Sequence, residues 1–486
     1  METIKNYING KWVDAECTSY KENFNPSTGV ILSKVPISTK DETNRAIEAA
    51  STAYERWKNL SVATRCEYLF KLQHLMSENF EDLSRTVSLE QGKNLVDARA
   101  ELKRTIQNLE VACGMPMLMQ GEKLEGIASE IDGEVIRQPM GVFGVIVPFN
   151  FPAMVPFWFL PYAIAAGNTI VLKPSEQVPL TMQKIFKIID QIGLPDGVVN
   201  IVNGSIDVVD AMIESPKIKG ISFVGSSKIA RKIAEECSKR GKRYQALGSA
   251  KNYIVVMKDA QLDKVVDSLL TSCYGCAGER CMAASVVAAV PEVYDELKAQ
   301  FVEAAKKLIV GDALNPDTEM GPVISQAAKD RILGVIETGI KEGAELTLDG
   351  RDIVVSDELK KGYFIGPTIF SNVTPDMTIA KEEIFGPVVS MVKIDSLDDA
   401  LEQIKNHKYG NGASIFTQNG YYARKFEMEA SAGMIGINIG IPAPVAYFPF
   451  GGIKESFFGD TKAQGKDVIN FFTERKIVTA RFFKED

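Results

Sequence analysis

Histidine is nearly missing from this sequence: His74 and His407 are the only two among 486 residues. A cysteine hydrolase with a histidine base would have to recruit one of them, and a histidine-based zinc site has almost nothing to draw on. Both histidines lie in amphipathic helical or loop-like stretches that suit a solvated or structural role. A cysteine–histidine hydrolase stays open as an alternative, but no pattern favours it. Also absent is any block of lysine and arginine. The 55 basic residues against 63 acidic ones give a net charge of −8, without the footprint that a nucleic-acid partner requires. The start, Met-Glu-Thr-Ile-Lys-Asn, lacks the apolar run of a secretory signal, and the seven cysteines are an odd number. Free thiols and a cytoplasmic location are therefore expected. Cys273-x-x-Cys276 has no second pair to complete a tetrahedral metal site, so two ordinary cysteines one helical turn apart are expected there, and no metal.

One uncharged run, Gln138 to Leu172, is long enough to cross a bilayer. Prolines inside it, Pro148, Pro152, Pro156 and Pro161 among them, each remove a backbone donor and disfavour helix at the preceding residue. A buried strand, loop and helix explain the run better than a membrane span. The remaining composition, 45% apolar, 24% charged and 38 glycines, is that of a folded globular protein, and the length calls for at least two packed units.

The first 120 or so residues read as mostly helical, with Ile47, Ala50, Tyr54 and Trp57 at spacings of three and four. From about residue 141 short apolar runs alternate with amphipathic stretches, the pattern of a parallel sheet with crossover helices. Strands are expected at Val142–Val147, Thr169–Leu172, Val198–Val202, Ile221–Val224 and Tyr253–Met257, with helices near 154–166, 181–192, 206–214 and 227–240. Together they make a Rossmann-like unit. A second series has expected strands at Ser285–Val290, Val388–Ile394, Ala413–Phe416 and Met434–Asn438, and helices near 292–308, 325–341 and 397–406. The fold class is α/β, with a Rossmann-like domain and a second α/β domain around one cleft. The tail Val468–Phe483 is expected to be β-rich and to pair with another strand, in the manner of a segment that docks on a neighbouring subunit.

In an open α/β sheet, ligands collect at the carboxyl ends of the strands. There the sequence places Pro148-Phe149-Asn150-Phe151-Pro152, Lys173-Pro174-Ser175-Glu176, Asn203-Gly204 and Gly225-Ser226-Ser227, which suggests a nucleotide site. There is no G-x-G-x-x-G, so a phosphate would rest on Gly225-Ser226 at a helix start; an ordinary turn and cap is the competing explanation. Gly278-Glu279-Arg280-Cys281-Met282 lies between a helical stretch, Leu262–Ser272, and a strand. A cysteine at such a junction, beside an arginine, can be exposed in a cleft as a thiolate, although an isolated cysteine is usually a small core residue.

Taken in order over nearly the whole chain, Pro-Phe-Asn-Phe-Pro at 148–152, Lys-Pro-Ser-Glu at 173–176, Gly-Glu-Arg-Cys-Met-Ala at 278–283 and Glu-Glu-Ile-Phe-Gly-Pro at 382–387 resemble the aldehyde dehydrogenase superfamily. Within it the chain is similar to the CoA-acylating methylmalonate-semialdehyde dehydrogenase branch, including the run from Gly459-Asp460 to Thr479-Ala480-Arg481-Phe482. The resemblance implies an NAD-binding domain at 1–121 and 143–246, a catalytic domain at 247–460, and a small β-rich oligomerisation segment at 122–142 and 461–486. It implies Cys281 as nucleophile, with the Asn150 amide and the Cys281 N–H holding the oxyanion. Val147, Pro148, Phe149, Gly225 and Ser226 would border the cofactor, Lys173 and Glu176 would hold the adenine ribose, and Glu383 and Phe385 would position the nicotinamide end. An acidic Glu176 accepts ribose hydroxyls and repels a 2′-phosphate, so NAD is expected over NADP. A homo-oligomer, dimer or tetramer, is implied as well.

Two departures stand out. Hydrolytic members carry a glutamate in a Glu-Leu-Gly-Gly-Lys segment, whereas this chain reads Gln245-Ala246-Leu247-Gly248-Ser249-Ala250-Lys251. Without that base, coenzyme A becomes the expected acyl acceptor, unless Glu279 serves instead. Ala230 stands where the glycine-rich turn usually ends in glycine. Arg104 and Arg280 match arginines expected to take a substrate carboxylate, although Arg104 could simply pair with Glu101 along a helix surface. The leading expectation is oxidation of methylmalonate or malonate semialdehyde to an acyl-CoA. The alternatives are hydrolytic oxidation of another small anionic aldehyde, sulfonated or succinate-type, and a non-catalytic binding protein.

Overall fold

The computed structural model describes residues 2–483, so the last three residues of the expected segment 461–486 lie outside the described residues. Two large sheets carry the architecture. In the first, the strands run, from one edge, Phe457–Phe458, Arg243–Leu247, Ile218–Val224, Val142–Ile146, Thr169–Lys173, Val199–Ile201, Asn6–Ile8 and Lys11–Val13. The five from Arg243–Leu247 to Val199–Ile201 are parallel, and the outer ones are antiparallel. Val142–Ile146 and Thr169–Lys173 are buried at every position, as unbroken apolar runs in a two-sided parallel sheet should be. The uncharged run beyond Val142 resolves into these two strands and two short helices, Met154–Phe157 and Leu160–Ala165. No helix among the described residues is long and apolar enough to cross a membrane.

The second sheet has the order Glu345–Leu348, Thr368–Ser371, Val388–Lys393, Ala284–Ala289, Asn252–Val256, Gly412–Phe416 and Met434–Ile437, parallel except for its Glu345–Leu348 edge. Here the structure corrects the sequence reading. The strand expected at Tyr253–Met257 belongs to this sheet, and Arg243–Leu247 takes its place in the first. Arg243–Leu247 opens with Arg, Tyr and Gln, so no apolar run marks it. Its arginine lies at the sheet end, donating to the carbonyls of Asn470, Phe471 and Thr473.

Two further corrections concern the ends. Residues 2–36 are not helical but form short strands at Glu2–Thr3, Asn6–Ile8, Lys11–Val13, Tyr20–Phe24 and Ile31–Pro36, most too brief to show an alternating pattern. Helices begin at Lys40–Trp57, where Thr39 and Glu42 form a reciprocal capping box, and Ile47, Ala50 and Trp57 are buried as their spacing requires. The tail is a helix at Asp467–Phe472 before it is a strand at Thr473–Arg481: Val468, Ile469, Phe471 and Phe472 are buried together on a helical spacing. The strand then pairs antiparallel with Ile131–Pro139, which pairs with Glu122–Ala128, so the two distant segments meet in a separate three-stranded sheet.

Candidate active site

The chain enters the first parallel sheet at Val142–Ile146, builds outward through Thr169–Lys173 and Val199–Ile201, then returns to lay Ile218–Val224 on the opposite side of the starting strand. That reversal opens a crevice at the carboxyl ends of Val142–Ile146 and Ile218–Val224. A cleft of about 730 Å³ lies there, bordered by Val147, Pro148 and Phe149 from one strand end and Gly225 and Ser226 from the other. Lys173 and Glu176 line one part of it, and Cys281, Glu383 and Phe385 another. Phe385 has a left-handed backbone, φ 52°, and its ring meets Phe149 edge-on at 5.8 Å. Ser226 caps the helix Ser227–Lys239 without a side-chain bond to it. Ala230 is buried in that helix, its N–H on the Ser226 carbonyl at 2.9 Å, so the turn closes without a glycine there.

Cys281 is partly exposed to this cleft. Burial first, and then the Glu383 carboxylate, push its thiol up to about 12, while the N–H groups of Cys281 and Met282 pull the other way. Asn150 is buried beside the same loop and donates its amide to the Glu279 carbonyl at 3.1 Å. The loop that carries Asn150 is clamped by a buried ion pair. Lys93 Nζ lies 2.7 Å from Glu101 and 2.6 Å from the Asn150 carbonyl, and Glu101 accepts the N–H groups of Ala153 and Met154. Both Glu101 oxygens thus have partners, and the Lys93 ammonium has two hydrogen-bond acceptors besides the Phe151 ring at 3.8 Å, which is the condition for burying charge.

The comparisons with known proteins agree with one another. The model of the aldehyde dehydrogenase family matches residues 12–478. The chain belongs to the aldehyde dehydrogenase family. It is 47% identical to a malonate-semialdehyde dehydrogenase of Halalkalibacterium halodurans over 99% of both chains, and 46% identical to one of Lacticaseibacillus casei, covering 99% of this chain and 97% of the relative. Among solved structures, methylmalonate-semialdehyde dehydrogenase from Oceanimonas doudoroffii superposes with a TM-score of 0.98 at 42% identity, covering 100% of this chain and 99% of the other. A Sinorhizobium meliloti protein described as a methylmalonate-semialdehyde dehydrogenase, solved with NAD, gives 0.98 at 39% over the same shares.

Within this aldehyde dehydrogenase the structure gathers Cys281, Asn150, Glu383, Phe385, Lys173, Glu176, Gly225 and Ser226 around one cleft, but it sets Arg280 apart. The sequence placed Arg280 on the substrate carboxylate. Its guanidinium instead meets Asp97 at 2.5 Å, and its Nε donates to the Cys276 sulfur at 3.3 Å, because a largely buried cation needs a fixed counter-charge. Arg104 is half-buried and its one side-chain bond goes to Gln107 at 2.9 Å; the surface pair with Glu101 does not form, since Glu101 is taken by Lys93. Asp97, Glu101, Arg104 and Asn108 follow one another at spacings of four, three and four on the helix Leu95–Cys113, so Arg104 shares a helix face with Asp97 and Glu101, but it does not line the cleft that holds Cys281.

Glu176 is held by two lysines, Lys21 at 2.8 Å and Lys173 at 3.2 Å. Burial opposes its charge, but the lysines outweigh it and keep the carboxyl at about 2. Glu279 has a different environment. Its oxygens accept from Ile324 N–H at 3.2 Å and Gln91 Nε2 at 3.3 Å, and burial lifts it to about 8. Those two contacts hold it against neighbouring segments, and it does not line the cleft that Cys281 borders. In the segment that replaces the expected base, Gln245 and Ala246 are buried strand residues, and the Ala250 N–H donates to Glu383 at 3.0 Å.

Two functional residues escaped the sequence reading. Asn252 and Asn411 each donate a side-chain amide to the Cys281 carbonyl at 2.9 Å. Asparagine at the head of a strand, as at 252, is the signal that could have found the first of them.

Proposed function

We propose that this chain oxidises malonate or methylmalonate semialdehyde with NAD and transfers the acyl group from Cys281 to coenzyme A, giving acetyl-CoA or propionyl-CoA with loss of carbon dioxide. The relatives named above support the substrate, and the Sinorhizobium complex supports the cofactor. The cleft fits NAD on its own residues: it has the volume, an open helix start at Ser226, and a Glu176 carboxylate to accept ribose hydroxyls. When bound, NAD supplies the two-electron acceptor.

The residues of the chain divide the remaining work. Cys281 sulfur bonds to the aldehyde carbon as the carbonyl π pair moves onto oxygen, and the thiol proton leaves to solvent through the open cleft. The Asn150 amide and the Cys281 N–H are the donors available to the oxygen that becomes negative. Glu383 and Phe385 border the nicotinamide end of the cleft, and Arg104 faces the substrate carboxylate as a planar donor fork. The first sheet serves as the cofactor domain and the second as the catalytic domain. The three-stranded sheet, with Leu124, Ile127 and Ile477 exposed, serves self-association into a dimer or tetramer. Seven free cysteines suit the reducing cytoplasm.

The observation that carries the acyl acceptor is the segment Gln245–Lys251, which has no carboxylate to activate water at the thioester. The experiment is an assay of NADH formation with and without coenzyme A, the acyl product being identified by mass. Turnover should require coenzyme A; free acid formed at full rate without it favours the hydrolytic reading.

A further inference from the structure

Five and four residues before the nucleophile, Cys276 and Ala277 both have left-handed backbones, with φ 50° and 51°. Side-chain-bearing residues adopt that conformation rarely, and two in succession need to be held from outside. One carboxylate does so. Asp97 accepts the Cys276 N–H at 2.9 Å and the Cys276 thiol at 3.5 Å on one oxygen, and Arg280 Nη2 at 2.5 Å on the other. The Arg280 Nε donates to the Cys276 sulfur at 3.3 Å, closing the ring of contacts. The guanidinium lies so close to Gly275 that a Cβ there would sit 2.3 Å from Nη2. Gly278, at φ 72°, presses on the other side: a Cβ would lie 2.2 Å from the Gly386 carbonyl.

We infer that Asp97 is a positioning residue for Cys281, fixing the turn Gly275–Gly278 and the side chain of Arg280 from the first turn of the helix Leu95–Cys113. That helix carries Glu101 one turn further on, and Glu101 fixes the loop of Asn150 through the Ala153 and Met154 N–H groups. The helix therefore sets the separation between the nucleophile and the oxyanion donor through two carboxylates at i and i+4. Asp97 does not border the cofactor cleft. Its loss should consequently disturb acylation and leave cofactor binding intact, which a general loss of folding would not do.

This inference rests on the reading of Cys281 as nucleophile, and the experiment separates the two. Full-length parent, Asp97→Ala and Asp97→Asn are mixed with NAD and malonate semialdehyde, and the first-turnover NADH burst is followed beside the NAD KM and thermal melting. In Asp97→Ala the burst rate should fall at least about tenfold with the NAD KM close to the parent's. Asp97→Asn, which keeps an acceptor for the Cys276 N–H but loses the ion pair, should fall less, and it remains informative if the alanine variant does not fold. A parental burst rate in either variant, or a fall matched by an equal loss of NAD affinity, overturns the inference. The absence of a burst in the parent would instead count against Cys281 as nucleophile.

Discussion

The side-chain amide of Asn252 stands 2.9 Å from the carbonyl oxygen of Cys281 and also 2.9 Å from that of Ala283, while its own oxygen accepts the Gly412 N–H at 2.9 Å. Asn252 heads a central strand of the second sheet, so the nucleophile's peptide is tied to the most rigid part of that domain. Asn252→Ala removes one of the two amide donors to the Cys281 carbonyl and takes the side-chain partner from both the Ala283 carbonyl and the Gly412 N–H. It should cost ~1–3 kcal/mol of stability and lower kcat by about tenfold through misplacement of the sulfur. Denaturant melts and steady-state kinetics check both; an unchanged kcat would show that Asn411 alone suffices.

Arg104 gives a prediction about substrate charge. Arg104→Leu should raise KM for malonate semialdehyde on the order of 10–100-fold, the worth of a hydrogen bond to a charged group. Kinetics on the uncharged aldehyde propanal should change little. Equal losses on both aldehydes would mean that Arg104 serves the helix and not the carboxylate.

The buried carboxyls predict a pH dependence of stability. Burial lifts Glu279 to about 8 and Glu383 to about 7, from an ordinary 4.5. Between the ordinary value and the lifted ones the folded chain retains protons that the unfolded chain has released, so stability falls as pH rises through that window. Glu279→Gln keeps an acceptor for Ile324 N–H and carries no charge. Its melting temperature should decline less than the parent's between about pH 5 and about pH 9. Parallel curves would contradict the assignment.

Cofactor choice is testable at Glu176. With its carboxyl held ionised by Lys21 and Lys173, it should repel a 2′-phosphate. Glu176→Gln leaves the two lysines unopposed and should shift the ratio of kcat/KM for NAD over NADP toward NADP by roughly tenfold, the equivalent of about 1.4 kcal/mol. A ratio that stays constant would place cofactor selection elsewhere in the cleft.

Much of this site was legible in the sequence because its residues sit in strand-end loops whose flanking strands are continuous apolar runs. Asn150 and Gly225 follow Val142–Ile146 and Ile218–Val224 within a few residues, and Lys173 ends Thr169–Lys173. Less legible was anything fixed by contacts between distant segments. Arg243–Leu247 carries too few apolar residues to announce a strand, and the partnership of Asp97 with Arg280 joins positions 183 residues apart. Arg280 looked like a substrate ligand because it is adjacent to Cys281 along the chain, but burial demanded a counter-charge that only the fold could bring.

A covalent bond between Cys281 and the acyl group is the step on which the other residue roles depend. Incubating the protein with NAD and malonate semialdehyde in the absence of coenzyme A, quenching in acid and mapping the peptides by mass should find the acyl group on Cys281, with NADH formed in equal amount. Adding coenzyme A before the quench should remove it. NADH produced in repeated turnovers with no adduct on Cys281 would contradict the account.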